Sequence, residues 1–272
     1  MYGSPRRLGV ALAALALALG LRTAHAADGT FDCLIQPSVS INLGSAVPGL
    51  LAEVLVDRGE AVTAGQTLAR LESDVQTVEK RLAALLAGSS VEVEVGAARQ
   101  SLMDQRRQRA RTLAARGVSS QERLQDAEVE ARLAALELRQ AQLNRDSAKV
   151  RLELAEALLD QRAIRSPFDG VVMERSLNAG EFVYQEVAVL RLAKLDPLHV
   201  EAFLPAAMLP AVTIGKRALV LPQAPFDEAV EATVDVIDRV LDPASATFGM
   251  RLVLANPDSR MFGGLRCTLT FP

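Results

Sequence analysis

The sequence has no tryptophan, and from Asp32 through Pro167 it has no phenylalanine or tyrosine either. Large aromatic rings usually supply much of the apolar area of a compact core, so their absence argues against a conventional globular domain in this half of the chain. Proline is also missing between Gly49 and Ser166, where alanine, leucine, arginine, glutamate and glutamine dominate. These residues enter helices at little cost, and such a composition is typical of a long coiled coil.

Catalytic and metal-binding residues are equally scarce. The only histidines are His25 and His199, so no third histidine completes a metal site. Serine and aspartate are plentiful, but no positioned histidine or lysine marks one of them as a nucleophile. The sequence therefore predicts no enzyme, no catalytic residue, no metal site and no cofactor.

The N-terminus predicts export. Arg6-Arg7 precedes an uncharged run, "LGVALAALALALGL", and "AHA" then offers a cleavage site after Ala26. The run is short for a transmembrane helix, which needs roughly 20 apolar residues, so a retained anchor is the lesser alternative. Removing residues 1–26 takes away three arginines and no acid, which changes the formal net charge from −3 to −6. An acidic exported protein is a poor candidate for binding nucleic acid.

One stretch of the sequence occurs twice. "SAVPGLLAEVLVDRGE" begins at residue 45 and "SPFDGVVMERSLNAGE" at residue 166, and a shift of 121 positions aligns a serine, two glycines and two glutamates. The match extends to Arg70-Leu71 on Arg191-Leu192. Because each copy reads as short strands turned by glycine, the sequence predicts one small β unit that has been duplicated.

Two long helices are predicted between the copies. They cover Asp74 to Ala115 and Ser119 to Ile164, about 63 and 69 Å at a rise of 1.5 Å per residue. The connection "RGVSSQER" supplies Gly117 to end the first helix and Ser119 or Ser120 to cap the second. Because a short turn joins helices of similar length, they must run antiparallel as a hairpin.

The spacing of apolar residues predicts how the helices pack. In the second helix an apolar line recurs every seven positions, as in the seam of a two-stranded coil. In the first helix, Gly88-Ser89-Ser90 and Gly96 each interrupt the pattern, and glycine costs up to about 1 kcal/mol relative to alanine, so a bend or fray is expected there. The predicted seam is Val129, Leu136, Leu143, Val150 and Ala157, with a ragged companion line through Leu133 and Leu154.

The tip of the hairpin is the candidate binding site, because a coil that projects far from its parent domain meets a distant partner there. Arg109 offers a cation, Leu113 an apolar knob, and Ser119 or Ser120 a small hydroxyl that permits close approach. Most other charged residues of the helices are expected to form a solvated surface.

The C-terminal part predicts a small β-barrel. After Arg191, the apolar-rich segments are separated by glycine, proline and aspartate. The segments are "LHVEAFLP", "RALVLP", "EATVDVIDRV", "GMRLVLAN" and "RCTLTF".

The duplicated unit split by a hairpin, followed by "LDPLHVEAFLP" and "SATFGMRLVLANPD", resembles the periplasmic adaptor (membrane fusion protein) family of bacterial tripartite efflux and secretion systems. The resemblance implies an elongated α+β fold, in which a long antiparallel helical hairpin is inserted between two halves of a lipoyl-like β-sandwich and a small β-barrel domain follows. Many members carry a further membrane-proximal domain, and none is expected here because the sequence ends at Pro272. The implied divisions are a signal peptide at 1–26, an N-terminal barrel strand at 31–43, sandwich halves at 44–72 and 165–193, the hairpin at 73–164 and the barrel at 194–272.

The resemblance also implies the function. It points to a non-enzymatic periplasmic adaptor that links an inner-membrane transporter, most simply of the RND type, to an outer-membrane channel for efflux. The adaptor would assemble as a trimer or hexamer and would associate with the inner membrane through its transporter. An adaptor of an ABC-type export system, or an exported coiled-coil scaffold with no transport role, are the alternatives. An adaptor at most lines the conduit, so its sequence does not identify the substrate.

The tip pattern of the family is an arginine, a leucine four residues later and a serine seven beyond that. Arg109, Leu113 and Ser120 match by counting, whereas Ser119 matches by context because it follows Val118. The usual downstream aspartate is displaced, at Asp126. Both serines therefore stay candidates.

Lipoyl and biotinyl carriers place a modified lysine at the junction of the two halves. Here the junction reads "LESDVQ", and the first lysine after it is Lys80. The resemblance therefore does not extend to a carrier function.

Cys33 and Cys267 are a candidate disulfide. An even pair of cysteines in an oxidising compartment is expected to pair, and the resemblance brings both into the barrel. Two buried free thiols are the alternative, because residues of one domain need not come close enough for a bridge.

Overall fold

The computed structural model describes residues 29–226 and 228–272, so the predicted signal peptide lies outside the described residues. Its helices and sheets confirm the α+β class. The helices are α1 (Asp74–Gly88), α2 (Val91–Ala115) and α3 (Gln121–Asp160), with a short 3-10 helix at Ala206–Ala211. The strands are β1 (Thr30–Gly44), β2 (Gly49–Val54), β3 (Ala61–Val62), β4 (Thr67–Leu71), β5 (Ala163–Arg165), β6 (Gly170–Arg175), β7 (Phe182–Val183), β8 (Ala188–Pro205), β9 (Arg217–Pro222), β10 (Val230–Asp242), β11 (Thr247–Leu254) and β12 (Leu265–Thr270).

The two repeats fold together as one β-sandwich. One sheet has the strand order β5-β4-β2-β7, and the other contains β3, β6, β8 and the C-terminal part of β1. Apolar side chains from both sheets share one core, in which Leu51, Leu68 and Leu192 are fully buried. Neither repeat can bury its apolar face alone, so the copies must meet in space although the helices separate them in sequence.

The shift of 121 positions reappears in the strand register. Leu51 pairs with Leu71 across β2 and β4, and the equivalent Val172 pairs with Leu192 across β6 and β8. A register irregularity follows each pair at the same place, after Leu51 and after Val172. The sandwich therefore has approximate two-fold symmetry.

Two buried serines close the same turn in each repeat. The Ser45 hydroxyl donates to the Val47 carbonyl oxygen at 2.6 Å, and the Ser166 hydroxyl donates to the Phe168 carbonyl oxygen at 2.6 Å. Both serines are buried. A buried hydroxyl without an acceptor would cost about 1–3 kcal/mol, which explains why the turn suits serine in both copies.

Six strands form a closed barrel beside the sandwich. They pair antiparallel in the order β1-β12-β9-β10-β11-β8, and β8 pairs with β1 to complete the ring. Its core includes Ile35, Leu198, Val220 and Phe248, all fully buried. Because the ring is closed, none of these strands leaves its whole length as an unpaired edge.

Strands β1 and β8 belong to both β domains. Cys33 pairs with Ala202 in the barrel, whereas Leu43 pairs with Leu190 in the sandwich, and the register shifts after Pro37. The expected boundaries at 43/44 and 193/194 are therefore wrong, since the first lies at the end of β1 within the sandwich and the second lies inside β8. Strands usually run about five or six residues, so two strands of 15 and 18 residues were not foreseen.

The second predicted helix corresponds to α3 and is shorter than expected. It ends at Asp160, and Ala163–Arg165 forms β5, in which Ile164 pairs with Ala69 of β4. The predicted helix end at Ile164 is wrong because this segment satisfies its backbone groups in the sheet and buries the Ile164 side chain.

The first predicted helix is two helices, α1 and α2, because it breaks at one of the two glycine sites. The break lies between Gly88 and Val91, which confirms the interruption predicted there. At Gly96 the expectation is wrong, because α2 continues and Gly96 is buried against α3. A β-carbon there would lie 3.1 Å from the Cα atom of Leu138, so Gly96 permits a close approach of the two helices.

The predicted seam of the second helix is wrong. The side chains of Val129, Leu136, Leu143 and Val150 are 53% to 62% exposed, and Ala157 is exposed as well. The buried and half-buried positions of α3 instead follow a second heptad pattern, shifted by two residues and rich in alanine. They are Leu124, Ala127, Ala131, Ala134, Leu138, Ala141, Arg145, Ala148, Leu152, Ala155 and Leu159, and Ala135 is half-buried beside this pattern.

Ion pairs tie the helices together at two levels. Lys80 of α1 contacts Glu156 at 3.2 Å, and Arg99 of α2 contacts Glu137 at 3.0 Å. All four side chains are well exposed, and exposed pairs contribute about 0–1 kcal/mol. They favour this alignment of the helices more than they stabilise the fold.

The cysteines lie opposite each other in the barrel. Cys33 and Cys267 are register partners between β1 and β12, their Cα atoms are 4.9 Å apart, and the structure joins them in a disulfide. The bridge links the first and last strands of the barrel, which are 234 positions apart in sequence. Its presence in the exported protein stays a prediction.

Gly96→Leu is expected to lower the free energy of unfolding by about 1–3 kcal/mol, because the side chain must force apart two closely packed helices. Gly88→Leu is the matched control, because no atom lies within 4 Å of a β-carbon at that position. Chemical denaturation followed by far-UV circular dichroism measures both. Equal effects of the two substitutions would contradict the close approach at Gly96.

Thiol labelling of the unreduced, denatured mature protein is expected to find no free thiol and no covalent dimer. In the chain-entropy model so long a loop stabilises the fold by up to about 5 kcal/mol, so Cys33→Ser combined with Cys267→Ser should melt at a lower temperature. Two labelled thiols per chain would reject the bridge.

Candidate functional site

The turn at the hairpin tip begins with a glycine in the left-handed region. Gly117 has φ of +73°, which L side chains rarely adopt. Its amide donates to the Ala114 carbonyl oxygen at 3.0 Å, and the Val118 amide donates to the Leu113 carbonyl oxygen at 3.0 Å. This Schellman arrangement ends α2 and reverses the chain.

The two candidate serines occupy different environments. Ser120 is the N-cap of α3, and its hydroxyl oxygen accepts a hydrogen bond from the Arg123 amide at 3.4 Å. Ser119 is half-buried, and within the described residues its hydroxyl has no hydrogen bond. Ser120 therefore has a structural role, whereas the hydroxyl of Ser119 is available to a partner.

Arg109 and Leu113 lie on one face of α2, because residues four apart are neighbours on a helix surface. The Arg109 Nε donates to the Gln105 carbonyl oxygen at 3.3 Å. Its terminal guanidinium nitrogens have no partner among the described residues. Leu113 is 44% exposed. The Arg109 cation thus lies one turn of α2 farther from the tip than Leu113, whose apolar side chain is next to the loop that joins α2 to α3.

Val118 was not among the predicted tip residues. It lies in the middle of the turn between α2 and α3, and its side chain is 73% exposed. An apolar residue between the breaking glycine and the capping serines was the available signal. The tip therefore presents Leu113 and Val118 as apolar contacts beside the cation of Arg109.

Other kinds of site find little support in the described part of the chain. There, no three histidine, cysteine, aspartate or glutamate side chains cluster closely enough to hold a metal ion. His199 lies on β8, where burial, followed by the nearby Arg251, lowers its pKa. Lys80, the first lysine after the junction, lies within α1 and pairs with Glu156.

No helix within residues 29–226 or 228–272 combines the length and apolar character that crossing a lipid bilayer requires.

Comparison with known proteins identifies the family. A family model described as "CzcB-like, barrel-sandwich hybrid domain" matches residues 40–194, more than half of the chain. The chain therefore belongs to the CzcB-like barrel-sandwich hybrid family, which places it among membrane fusion, or periplasmic adaptor, proteins.

Two curated relatives show how far the similarity extends. The cobalt-zinc-cadmium resistance protein CzcB of Cupriavidus metallidurans is 28% identical over 48% of this chain and 26% of its own length. The nodulation protein NolF of Rhizobium meliloti is 25% identical over 85% of this chain and 59% of its own length. The chain thus spans less than two thirds of these relatives.

Solved structures share the fold. MacA from Actinobacillus actinomycetemcomitans superposes with a TM-score of 0.72 at 19% identity, covering 89% of this chain and 78% of that protein. The membrane fusion protein Spr0693 from Streptococcus pneumoniae superposes with a TM-score of 0.61 at 16% identity, covering 89% of this chain and 98% of its own. At these identities the comparison describes the architecture alone.

Replacing each tip serine by alanine is expected to separate stability from binding. Ser120→Ala should lower stability by about 0.5–2 kcal/mol, because it removes a helix cap. Ser119→Ala should leave unfolding unchanged and reduce only the function that depends on the tip. Thermal unfolding, measured beside an export assay in cells, tests both, and loss of stability in Ser119→Ala alone would reverse the assignment.

Proposed function

We propose that this chain is a non-enzymatic periplasmic adaptor, which links an inner-membrane transporter to an outer-membrane channel for export across the cell envelope. The exposed tip of a long hairpin, on a chain of the membrane fusion family, is the observation that carries this proposal. The hairpin supplies reach and the tip supplies the contact. Chemical energy would come from the transporter.

The hairpin suits a contact at a distance. The 40 residues of α3 extend about 60 Å at 1.5 Å per residue. At its root, the Leu71 amide donates to the Arg162 carbonyl oxygen at 2.9 Å. A hairpin anchored this way transmits the position of the sandwich to its tip.

The tip suits a protein partner that offers carbonyl or carboxylate oxygens around an apolar recess. We assign Arg109 to those oxygens and Leu113 to the recess, with Gly117 and Ser119 permitting close approach. Ser120 supports the turn as the cap of α3. The periplasmic end of an outer-membrane channel is the proposed partner.

For the other end of the assembly we propose an RND-type transporter, with an ABC-type exporter as the second candidate. The energy source separates them, because the first uses the proton gradient and the second uses ATP. Export that stops on addition of a protonophore while cellular ATP is maintained would favour the RND type. Export that stops only on ATP depletion would favour the ABC type.

The adaptor is proposed to act in the periplasm as a trimer or hexamer. The predicted signal peptide at residues 1–26 supports export to the periplasm. An exported coiled-coil scaffold without a transport role is the remaining alternative. Crosslinking in cells from a photoreactive residue at position 112, an exposed neighbour of Leu113 that is outside the proposed contact, followed by mass spectrometry, separates these: an outer-membrane channel supports the adaptor, and none supports the scaffold.

Arg109→Glu is expected to abolish export in the source bacterium, because it reverses the charge of the proposed contact while the side chain supports no packing. Helicity and melting temperature should stay near those of the unaltered protein. Leu113→Trp should act in the same way, since a bulkier side chain does not fit the recess.

Arg139→Glu is the matched control, because Arg139 is an exposed arginine on the shaft of α3, away from the tip. It should leave export intact. Compounds to which deletion of the gene sensitises the cells provide the readout. Equal loss of folding and export in Arg109→Glu, or full export, would contradict the assignment of the tip.

A further inference from the structure

One arginine interrupts the alanine-rich inward pattern of α3. Arg145 lies between the small inward residues Ala141 and Ala148 and is half-buried. Its Nε atom is buried without a hydrogen-bond partner, and its guanidinium forms no ion pair among the described residues. A charged group at a helix interface is costly unless it is paired. Arg145 therefore needs an explanation other than the packing of the helices.

The break between α1 and α2 lies opposite Arg145. Two ion pairs bracket the break, Lys80 with Glu156 on one side and Arg99 with Glu137 on the other. The midpoint of the bracketed part of α1 and α2 is the break itself, and the midpoint of the bracketed part of α3 is next to Arg145. The break thus gives the long arginine side chain room that an unbroken helix would fill.

A cavity of about 270 Å³ opens between the break and α3. Asn144, Arg145 and Arg151 line it from α3, and Ser89 and Glu92 line it from the other side. Asn144 and Arg151 are seven positions apart, so they lie on the same face of the helix. Because a water molecule takes up roughly 30 Å³ in the liquid, the cavity has room for a group of several atoms.

The cavity has an excess of positive charge. Arg145 and Arg151 contribute two cations, whereas Glu92 is the one carboxylate in the lining, and it forms no ion pair with either arginine. Asp146 follows Arg145 in sequence but contacts Lys149 instead, at 3.2 Å. An anion is therefore the ligand whose charge matches the cavity.

The donors of the cavity suit oxygen atoms. Arginine presents its N–H groups in a planar fork that matches the oxygens of a carboxylate or a phosphate. The Asn144 side-chain oxygen accepts a hydrogen bond from Gln140 at 2.9 Å, which leaves the NH2 group of Asn144 to donate. The Ser89 hydroxyl forms no hydrogen bond within the described residues and supplies a further neutral donor.

We propose that this cavity binds a small oxyanion, a phosphate or carboxylate group, held by Arg145 and Arg151 with Ser89 and Asn144 as further donors. The bound group connects α3 with the segment between α1 and α2, so it fixes the angle of the hairpin at its break. The site lies on the shaft of the hairpin, away from the tip, and does not depend on the proposed function.

Thermal unfolding of the purified mature chain tests the site. Sodium phosphate and sodium acetate are compared with sodium chloride at equal ionic strength, because salt alone screens charges. Phosphate or acetate should raise the melting temperature above that in chloride, since a ligand of the folded state stabilises it. The anion with the larger effect identifies the group as phosphate or carboxylate. No rise above chloride with either anion would overturn the proposal.

Three variants assign the response to the cavity. Arg145→Met should bind the anion at least about tenfold more weakly by isothermal titration, because it removes a charge-assisted hydrogen bond. Arg139→Met is the matched control, because Arg139 is exposed on α3 outside the cavity, and it should bind as the unaltered chain does. Glu92→Gln should bind more tightly, because it removes the opposing charge. Equal weakening by Arg145→Met and Arg139→Met, or weaker binding by Glu92→Gln, would overturn the proposal.

Hydrogen exchange of the unaltered chain locates the anion without any substitution, so its result stands even if a variant fails to fold. Addition of the tighter-binding anion should slow exchange of the amides around the break, at residues 86–93. The hairpin root is the internal comparison, because Arg70, Arg162 and Arg165 form another basic cluster there. Slower exchange at the root or at the tip, with no change at the break, would overturn the proposal.

Discussion

The hydrogen-bonded pairing of β4 with β5 holds the two ends of the helical hairpin side by side. Arg70 pairs with Ala163 in this ladder. Only two residues separate β4 from α1, and only two separate α3 from β5. Both helices therefore start from neighbouring strands with no slack. The antiparallel course of the hairpin and the position of its tip both depend on this pairing.

The repeat was the most informative feature of the sequence, because pairing register is a property that two copies must share. Glu53 pairs with Arg70 and Glu174 with Arg191, at equivalent places in the two halves. Side chains alternate between the two faces of a strand, so a slip by one residue would expose the core of one copy but not of the other. Sequence identity between the copies thus carried tertiary information that helix or strand propensity lacks. It said nothing about the boundaries, because β1 and β8 continue through both β domains.

The packing of α3 could not be predicted from apolar strength alone. The sequence contains two heptad patterns, one of leucine and valine and one dominated by alanine, and the stronger hydrophobes face outward. Alanine and Gly96 permit a closer approach of the helix backbones, which increases the contact made along the whole interface. At the tip the residue types and Gly117 were predictable from turn chemistry, whereas the distinction between Ser119 and Ser120 required the cap to be located. Val118 was missed because an exposed apolar residue in a turn resembles an ordinary surface residue.

The two strands that run through both β domains also determine how the protein responds to mechanical load. In the proposed adaptor role, a transporter that changes shape would pull or push the barrel relative to a tip held by the proposed channel. Between barrel and sandwich this force passes along β1 and β8, which pair from Cys33 with Ala202 to Gly44 with Ala188, with register shifts after Pro37 and after Leu43. Force parallel to paired strands loads many hydrogen bonds together, whereas force across a strand end breaks them one by one. Because β1 and β8 cross the junction as continuous strands, a load along them is shared by the hydrogen bonds on both sides of it, and we expect the junction to resist shear.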